Sequence, residues 1–351
     1  MQTTLLITTI RRGVLLIIVL SQLLAGHSVS ASGLSDVDHW LYLIDVNLDE
    51  DEVYKITKSS HDLIVIDYIP SESENTDYPI AEVIDEWHDA KHAKRVLAYI
   101  DIGQAESYRT YWQDDWEVGD PAWITGEDPD GWAENYPVAY WHKNWQAIWL
   151  GKDGIISRIV EAGFDGVYLD WIEAYSDPGV AIVAKKDGVN AQDAMVKFIT
   201  DIAYQGRKQR PGFLVVGQNA LELVYRDDYR HVVDGVAQEQ TWFDGGADNA
   251  PPGDCPLPRR REDVESDAYT SGLSRACRRQ HDTFEESTLH MSSEEYLEDM
   301  QSAQDYGLVV MTVDYALDPS NVAWIYAESR RRGFVPFVSE RGLSTFAPAR
   351  Y

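Results

Sequence analysis

Residues 163–170 read Gly-Phe-Asp-Gly-Val-Tyr-Leu-Asp, and this stretch decides the fold prediction. Its glycines permit a tight turn out of a preceding helix, an apolar run follows, and Asp170 ends the run. A short apolar run without polar alternation predicts a parallel strand that is covered on both faces. We therefore expect the Asp170 carboxylate to emerge at the carboxyl end of a buried strand.

The same pattern recurs along the 351-residue chain and alternates with helical segments. The predicted strands are His39–Asp45, Asp62–Tyr68, Arg95–Gly103, Gly166–Asp170, Phe213–Asn219, Gly235–Gln240, Leu308–Asp314 and Phe334–Val338. The predicted helices are Ala81–His92, Asn144–Ala162, Ala191–Gln209, Ser293–Tyr306 and Asn321–Arg332. Ser292 and Glu295 have capping-box spacing, and Gly333 stands where a helix stop is expected.

Eight strands with intervening helices predict an α/β fold, a (β/α)8 TIM barrel. The alternative is an open doubly wound sheet, but no glycine-rich nucleotide loop follows the first strand. Two long loops interrupt the pattern, residues 107–150 after the third strand and an insertion at 244–291 after the sixth. Loops of this length in a compact domain are typically functional or disordered, and the strand count predicts both on the active-site face.

The first 31 residues have the pattern of an export signal. Arg11 and Arg12 precede an apolar stretch, Val14–Leu24, and small residues follow it. An uncleaved membrane anchor is the alternative. We expect residues 32–351 to form a single barrel domain that is secreted or periplasmic.

The chain is strongly acidic, with 59 Asp and Glu against 30 Lys and Arg and a formal net charge of −29. Such a surface repels phosphate backbones and anionic lipids, which argues against nucleic-acid and membrane-surface binding. A cationic partner and adaptation to high salt both remain open. The two cysteines, Cys255 and Cys277, lie in the same insertion, and export predicts a disulfide between them. The alternative is that the two cysteines are incidental and do not form a disulfide.

Polar side chains gather at the carboxyl ends of the predicted strands, where barrel enzymes place their chemistry. Asp170 and Glu239 are the predicted catalytic carboxylates. The alternatives are that Asp170 caps a loop or pairs with an arginine and that Glu239 is a buried ion-pair partner. Gln218 and Asn219 end the strand between them and have amides that bind sugar hydroxyls or orient carboxylates. The predicted substrate-binding residues are Asp67, Tyr68, Asp101, Glu106, Tyr168, Asn219, Asp314 and Tyr315.

The segment 107–150 contains seven of the twelve tryptophans, and aromatic planes suit the C–H faces of sugars. We expect most of these rings to cover the barrel top and only one or two to touch ligand. His88 and His92 have metal-ligand spacing, but acidic neighbours indicate a solvated helix face. The sequence therefore predicts no metal and no cofactor.

Two longer stretches resemble the signatures of a known family. Residues 95–109 read Arg-Val-Leu-Ala-Tyr-Ile-Asp-Ile-Gly-Gln-Ala-Glu-Ser-Tyr-Arg, and residues 163–175 read Gly-Phe-Asp-Gly-Val-Tyr-Leu-Asp-Trp-Ile-Glu-Ala-Tyr. Together with Gln218-Asn219, Glu239, 313–315 and 333–336, they resemble glycoside hydrolase family 114, the endo-α-1,4-polygalactosaminidase-like barrels. Asp101 and Gln104 stand where the family has Ser and Glu, and the cysteine-bearing insertion is not typical of it.

The resemblance implies a glycosidase that cleaves internal α-1,4 linkages of a galactosamine-containing polysaccharide with retention. It implies Asp170 as nucleophile and Glu239 as acid/base, and two carboxylates need no cofactor. A non-catalytic glycan-binding barrel is the alternative. A metal-dependent polysaccharide deacetylase would need a His/Asp cluster that nine scattered histidines do not indicate.

Overall fold

The computed structural model describes residues 33–71, 75–129, 131–245, 254–284 and 287–350. The predicted export signal lies outside these ranges, as do residues 246–253, 285 and 286 of the insertion, and the boundary at residue 31 stays a prediction. In the described ranges no helix is both long enough and apolar enough to cross a membrane.

Eight parallel strands form one sheet in the order of the chain. They are β1 Trp40–Leu43, β2 Leu63–Asp67, β3 Arg95–Asp101, β4 Gly166–Asp170, β5 Leu214–Gln218, β6 Gly235–Glu239, β7 Val309–Tyr315 and β8 Val335–Ser339. Nearly every strand residue is buried, as expected when helices cover one face and a barrel core the other. The indole Nε1 of Trp40 on β1 donates to the Val335 carbonyl on β8 at 3.0 Å, and β1 thus meets β8 in a nearly closed (β/α)8 barrel. All eight predicted strands are confirmed.

Helices lie between the strands. They are α1 Glu50–Lys58, α2 Ile80–His88, α3 Lys143–Trp149, α4 Ile155–Glu161, α5 Pro178–Asp187, α6 Ala191–Gln209, α7 Asp227–Arg230, α8 Asp267–Gly272, α9 Arg275–Thr283, α10 Ser293–Asp305 and α11 Pro319–Arg331. Two of them, α8 and α9, belong to the insertion. The predicted capping box of Ser292 and Glu295 is present at the start of α10. Gly333 follows α11 with a φ of +80°.

The single helix predicted for 144–162 is wrong, because the structure has α3 and α4 there. Gly151 between them has a φ of +101°, a conformation that glycine adopts without strain. A Cβ on Gly154 would lie 2.6 Å from the carbonyl oxygens of Trp149 and Leu150. The glycine pair therefore breaks the helix into two short ones.

Large aromatic side chains fill the barrel interior beneath its carboxyl-terminal face. Tyr42 and Tyr168 have ring centroids 4.9 Å apart, and those of Trp40 and Phe337 are 5.5 Å apart. All four side chains are fully buried. They form a closed floor, so a ligand can enter only from the loops above.

The described part of the insertion packs as a small satellite on the barrel. Cys255 and Cys277 form the predicted disulfide, with Cα atoms 5.4 Å apart. Leu257, Leu273 and Leu289 pack around it as a separate apolar cluster. The disulfide prediction is thus confirmed, and the insertion has a core of its own.

Candidate active site

Three strained residues mark the carboxyl ends of neighbouring strands. Trp171, Asn219 and Gln240 have φ values of 52°, 58° and 52°, although none is glycine. They directly follow the last residues of β4, β5 and β6. Backbone strain of this kind costs about 1–3 kcal/mol per residue and is concentrated at functional sites. The turns aim the strand-end side chains into the barrel mouth.

Asp170 ends β4 and accepts three hydrogen bonds. Its Oδ2 accepts from the Tyr99 hydroxyl at 2.6 Å. Its Oδ1 accepts from the backbone N–H of Trp171 at 2.8 Å and from Nε2 of Gln218 at 2.7 Å. Burial, and then the charge of Glu239, nevertheless raise the pKa of Asp170 to about 7. Near neutral pH this carboxyl group therefore exchanges a proton readily.

Glu239 ends β6 and is held by hydrogen bonds and a nearby guanidinium. Its Oε2 accepts from Gln218 at 2.8 Å and from Asn219 at 3.2 Å. Its Oε1 accepts from the Tyr315 hydroxyl and lies 3.6 Å from the Arg341 guanidinium. Three hydrogen-bond donors and one guanidinium therefore fix the position of the Glu239 side chain.

One amide nitrogen bridges the two carboxylates. Nε2 of Gln218 donates to both Asp170 and Glu239, at 2.7 and 2.8 Å, so the two accepting oxygens cannot be more than 5.5 Å apart. Oε1 of Gln218 accepts from the Tyr42 hydroxyl at 3.2 Å, which fixes the orientation of the amide. Gln218 thus sets the spacing of the carboxylate pair from the strand between them.

Glu173 is a third carboxyl group at this place, on the short 3-10 helix after β4. Its Oε1 accepts from Nδ2 of Asn219 at 3.2 Å, whereas its Oε2 is buried without a hydrogen-bond partner. Burial and the charge of Asp170 raise the pKa of Glu173 to about 8. The group is therefore mainly protonated at neutral pH.

Asp101 pairs with Asp170 in the register of β3 and β4. Its Oδ1 accepts from the backbone N–H groups of Gly103 and Gln104, at 3.0 and 2.7 Å. Burial and the charge of Asp170 raise its pKa well above the ordinary value. A Cβ on Gly103 would lie 2.1 Å from the Trp171 carbonyl oxygen, so glycine is needed for this close approach. Asp101 is thus a further carboxyl group with a raised pKa next to the Asp170–Glu239 pair.

Asp67 and Glu106 belong to a second, ion-paired group. The buried Arg109 donates to Asp67 at 2.7 Å and to Glu106 at 2.8 Å. Tyr68 lies beside them, with its ring centroid 5.9 Å from the Arg109 guanidinium. Arg109 therefore holds both of these predicted substrate-binding carboxylates.

The remaining predicted substrate-binding residues lie at different depths. Tyr315 and Asn219 contact Glu239 directly. Tyr168 is fully buried in the floor, and Asp314 is fully buried away from the pair. Oδ1 of Asp314 accepts from the backbone N–H groups of 242 and 243, and burial raises its pKa to about 8.

Most tryptophans of the 107–150 segment pack on one another over the barrel. Trp123, Trp145 and Trp149 are buried. Trp132 is half-buried, and its ring centroid lies 5.0 Å from the guanidinium of Arg341, the same group that approaches Glu239. Trp132 is thus an aromatic side chain from this segment that lies beside the carboxylate pair.

Sequence reasoning missed Tyr99, Glu173 and Arg341 as site residues. Glu173 lies three positions after Asp170, within the signature at residues 163–175, and Arg341 follows the eighth strand. Tyr99 lies inside β3 and has no sequence signal beyond its strand. The positions of Glu173 and Arg341 at strand ends were the available signal.

Comparisons with known proteins show which family the chain matches. The family model for the glycoside-hydrolase family GH114 matches residues 28–350. An uncharacterised protein of Deinococcus radiodurans is 32% identical over 310 residues, which span 88% of this chain and 82% of that protein. One of Thermotoga maritima is 33% identical over 211 residues, 59% of this chain and 60% of that protein.

Two solved structures share the fold. The glycoside hydrolase domain of PelA from Pseudomonas aeruginosa has a TM-score of 0.56 at 15% identity, over 88% of this chain and 97% of that domain. Ega3 of Aspergillus fumigatus, in complex with galactosamine, has a TM-score of 0.56 at 12% identity, over 90% of this chain and 94% of its own. At such low identity these likenesses establish the fold alone.

Proposed function

The chain belongs to the glycoside-hydrolase family GH114, and from this premise we propose that it cleaves internal α-1,4 linkages of a galactosamine-containing polysaccharide with retention, outside the cytoplasm. The single observation that carries the mechanism is the Asp170–Glu239 pair, whose nearest bridged oxygens are at most 5.5 Å apart. Retaining glycosidases have carboxyl groups about 5–5.5 Å apart, whereas inverting ones need about 6.5–9.5 Å to admit a water.

Retention requires one carboxylate to attack and one carboxyl group to protonate the leaving oxygen. The contacts of the pair favour Glu239 as the nucleophile, because hydrogen bonds from Gln218 and Asn219 and the nearby Arg341 guanidinium hold its carboxyl group in place. They favour Asp170 as the acid/base, because its pKa is raised to about 7 by burial and by the charge of Glu239. We adopt these roles, which are the reverse of those that the family resemblance implies.

In the first step Glu239 attacks the anomeric carbon while Asp170 transfers its proton to the departing glycosidic oxygen. In the second step Asp170, now ionised, takes a proton from water, and that water displaces Glu239 from the sugar. Gln218 donates to both carboxylates in the free enzyme and so keeps their spacing.

The charge of the site supports an amino-sugar substrate. Asp101, Asp170, Glu173 and Glu239 lie together, and burial and like charge raise the pKa values of the first three. An ammonium group close to them would favour their ionised forms and be attracted in turn. A solved relative of the same fold, Ega3, binds galactosamine.

The substrate test uses deacetylated and N-acetylated α-1,4-galactosamine polymers, with amylose as a neutral α-1,4 control. We expect new reducing ends from the galactosamine polymers and mainly oligomeric early products, as internal cleavage requires. Hydrolysis of amylose alone would refute the substrate proposal. Binding of the polymer without any new reducing ends would instead favour the glycan-binding alternative.

The role test uses Glu239→Gly and Asp170→Gly with azide and an activated α-galactosaminide. If Glu239 attacks, azide restores turnover in Glu239→Gly and gives the β-azide, with inverted configuration. Asp170→Gly should then give the α-azide, with retained configuration. The opposite pattern would return the nucleophile role to Asp170.

A further inference from the structure

A cluster of metal-binding side chains lies in the insertion, outside the active site. Glu265, His281 and His290 each direct one ligand atom to a common point, and these atoms lie within 4.8 Å of one another. Glu265 precedes α8, His281 lies on α9, and His290 ends the next 3-10 helix. Three separate segments thus converge.

The hydrogen bonds of His290 show which of its nitrogens is available. Nε2 lies 3.0 Å from the carbonyl oxygen of His281, an acceptor, so Nε2 carries a hydrogen. Nδ1 lies 2.6 Å from Oε1 of Glu265. In the neutral ring with Nε2 protonated, two lone pairs would face each other there. A cation between them, either a proton or a metal ion, is required.

His281 presents a second nitrogen to the same carboxylate. Its Nδ1 lies 3.0 Å from Oδ1 of Asp282, which can only accept when ionised, so Nδ1 carries the hydrogen. Its side chain is 6% exposed. Nε2 is buried without a hydrogen-bond partner and lies 3.5 Å from Oε1 of Glu265. An unpaired buried nitrogen is costly, and metal ligation would satisfy it.

Both rings have the support that metal-binding histidines normally have. Such a histidine donates its second N–H to a carboxylate or to a backbone carbonyl, which fixes the tautomer. Asp282 is the carboxylate for His281, and the His281 carbonyl is the acceptor for His290. With these two N–H groups engaged, the lone pairs of Nε2 of His281 and Nδ1 of His290 both face Glu265.

We propose that Glu265, His281 and His290 bind a divalent transition-metal ion of the zinc class. Two imidazoles and a carboxylate suit Zn²⁺, with a fourth position for water. Bonds of about 2.0–2.1 Å in a tetrahedron place ligand atoms about 3.3–3.4 Å apart. The separations of 2.6 and 3.5 Å to Oε1 of Glu265 lie on either side of this value. The third separation, between the two histidine nitrogens, is at most 4.8 Å, so small side-chain shifts would complete the tetrahedral geometry.

The ion would tie the insertion to the catalytic strand. Cys277 and His281 lie four residues apart on α9, so the disulfide and the metal hold the same helix. Gln280, between them, donates to Oδ2 of Asp244 at 2.9 Å. Oδ1 of Asp244 accepts from Gln240, the residue after Glu239. The metal site is thus a structural cross-link, and it takes no part in the hydrolysis itself.

The test is a zinc titration of the full-length protein without a histidine tag, after removal of metals with a chelator. We expect one Zn²⁺ per chain and no binding of Mg²⁺, which prefers oxygen ligands. Glu265→Gln and His290→Gln should weaken zinc binding at least tenfold. Asp282→Asn should weaken it about 10–100-fold, because the partner of a ligating histidine is lost.

The matched controls are Glu262→Gln in the same segment and His92→Gln on the surface, which should bind zinc as the wild type does. Glu265 is 59% exposed, so its substitution preserves the fold, and equal melting temperatures in chelator check this. At equal zinc concentrations, the melting temperature of the wild type and of both controls should rise more than that of Glu265→Gln. Sub-stoichiometric zinc in the wild type, or unchanged affinity in Glu265→Gln and His290→Gln, would overturn the proposal.

Discussion

Asp170→Asn should make the protein more stable at pH 8, because it removes a carboxylate that the fold disfavours. The pKa of Asp170 is raised from 3.8 to about 7 in the folded state, chiefly by burial and by the charge of Glu239. A group with a raised folded pKa destabilises the fold as it ionises. The penalty is absent below about pH 3.8, grows with rising pH, and is complete above about pH 7.

The magnitude follows from the pKa difference. About three pKa units correspond to about 4 kcal/mol. Asp170 keeps some solvent contact, and its neutral amide loses part of the hydrogen bonding to Tyr99 and Gln218. We therefore expect a net gain of about 2 kcal/mol at pH 8, and of less than about 1 kcal/mol at pH 5, where the penalty is incomplete.

The assay is urea unfolding followed by tryptophan fluorescence at both pH values. Asp114→Asn, at an exposed loop position, is the matched control and should leave the unfolding free energy unchanged within about 0.5 kcal/mol. An Asp170→Asn protein that is no more stable than the wild type at pH 8, or a gain that does not depend on pH, would refute the reasoning.

Three further predictions follow from the same contacts and charges. Glu239→Gln should lower the pKa of Asp170 by about 2 units, because a charge about 5 Å away contributes about 3 kcal/mol at an effective dielectric constant of 20. Carbon-13 NMR of labelled aspartate measures this pKa, and a change below about 0.5 unit would contradict the electrostatic coupling of the two carboxyl groups. Hydrolysis of a deacetylated, cationic polymer should fall as salt rises, because steering by the net charge of −29 is screened beyond about 8–10 Å; activity and stability that rise into molar salt would instead indicate halophilic adaptation. Replacing Cys255 and Cys277 together with serine should cost about 3 kcal/mol of unfolding free energy, since the disulfide closes a loop of 22 residues; unfolding curves that coincide with those of the wild type would rule this out.

The barrel was predictable because its strands are buried on both faces. Runs such as Gly166–Asp170 carry no polar alternation, and every such run became a strand of the barrel. Helix boundaries were less predictable where local and tertiary preferences differ. The helix Pro178–Asp187 was missed because Pro-Gly usually marks a turn, whereas here Asp177 caps the helix and Pro178 occupies its first turn.

Strand ends indicate which residues reach the barrel mouth but not which residues they meet there. Asp67 and Glu106 have the same sequence signal as Asp170, yet Arg109 pairs with both of them. That ion pair depends on the path of the loop after β3, which no local pattern specifies. The bridging role of Gln218 likewise depends on rotamers across three strands.

The cluster in the insertion was not predictable for a related reason. Metal motifs are recognised when ligands recur at helical or loop spacing, as His88 and His92 do. Glu265, His281 and His290 are 16 and 9 positions apart in the sequence and have no such spacing. In the structure Nε2 of His88 instead lies 2.9 Å from Oδ2 of Asp165, at hydrogen-bond distance. Only the fold of the insertion brings the three ligands together.

The configuration of the first-formed product tests the Asp170–Glu239 pair most directly. Proton NMR of a fresh digest of α-1,4-polygalactosamine distinguishes the α and β reducing ends before they interconvert. We predict the α anomer first with the wild type and with Asp114→Asn, and a loss of several orders of magnitude in rate with Asp170→Asn or Glu239→Gln. The β anomer first, or near-normal rates in both amide variants, would contradict catalysis by this carboxylate pair with retention.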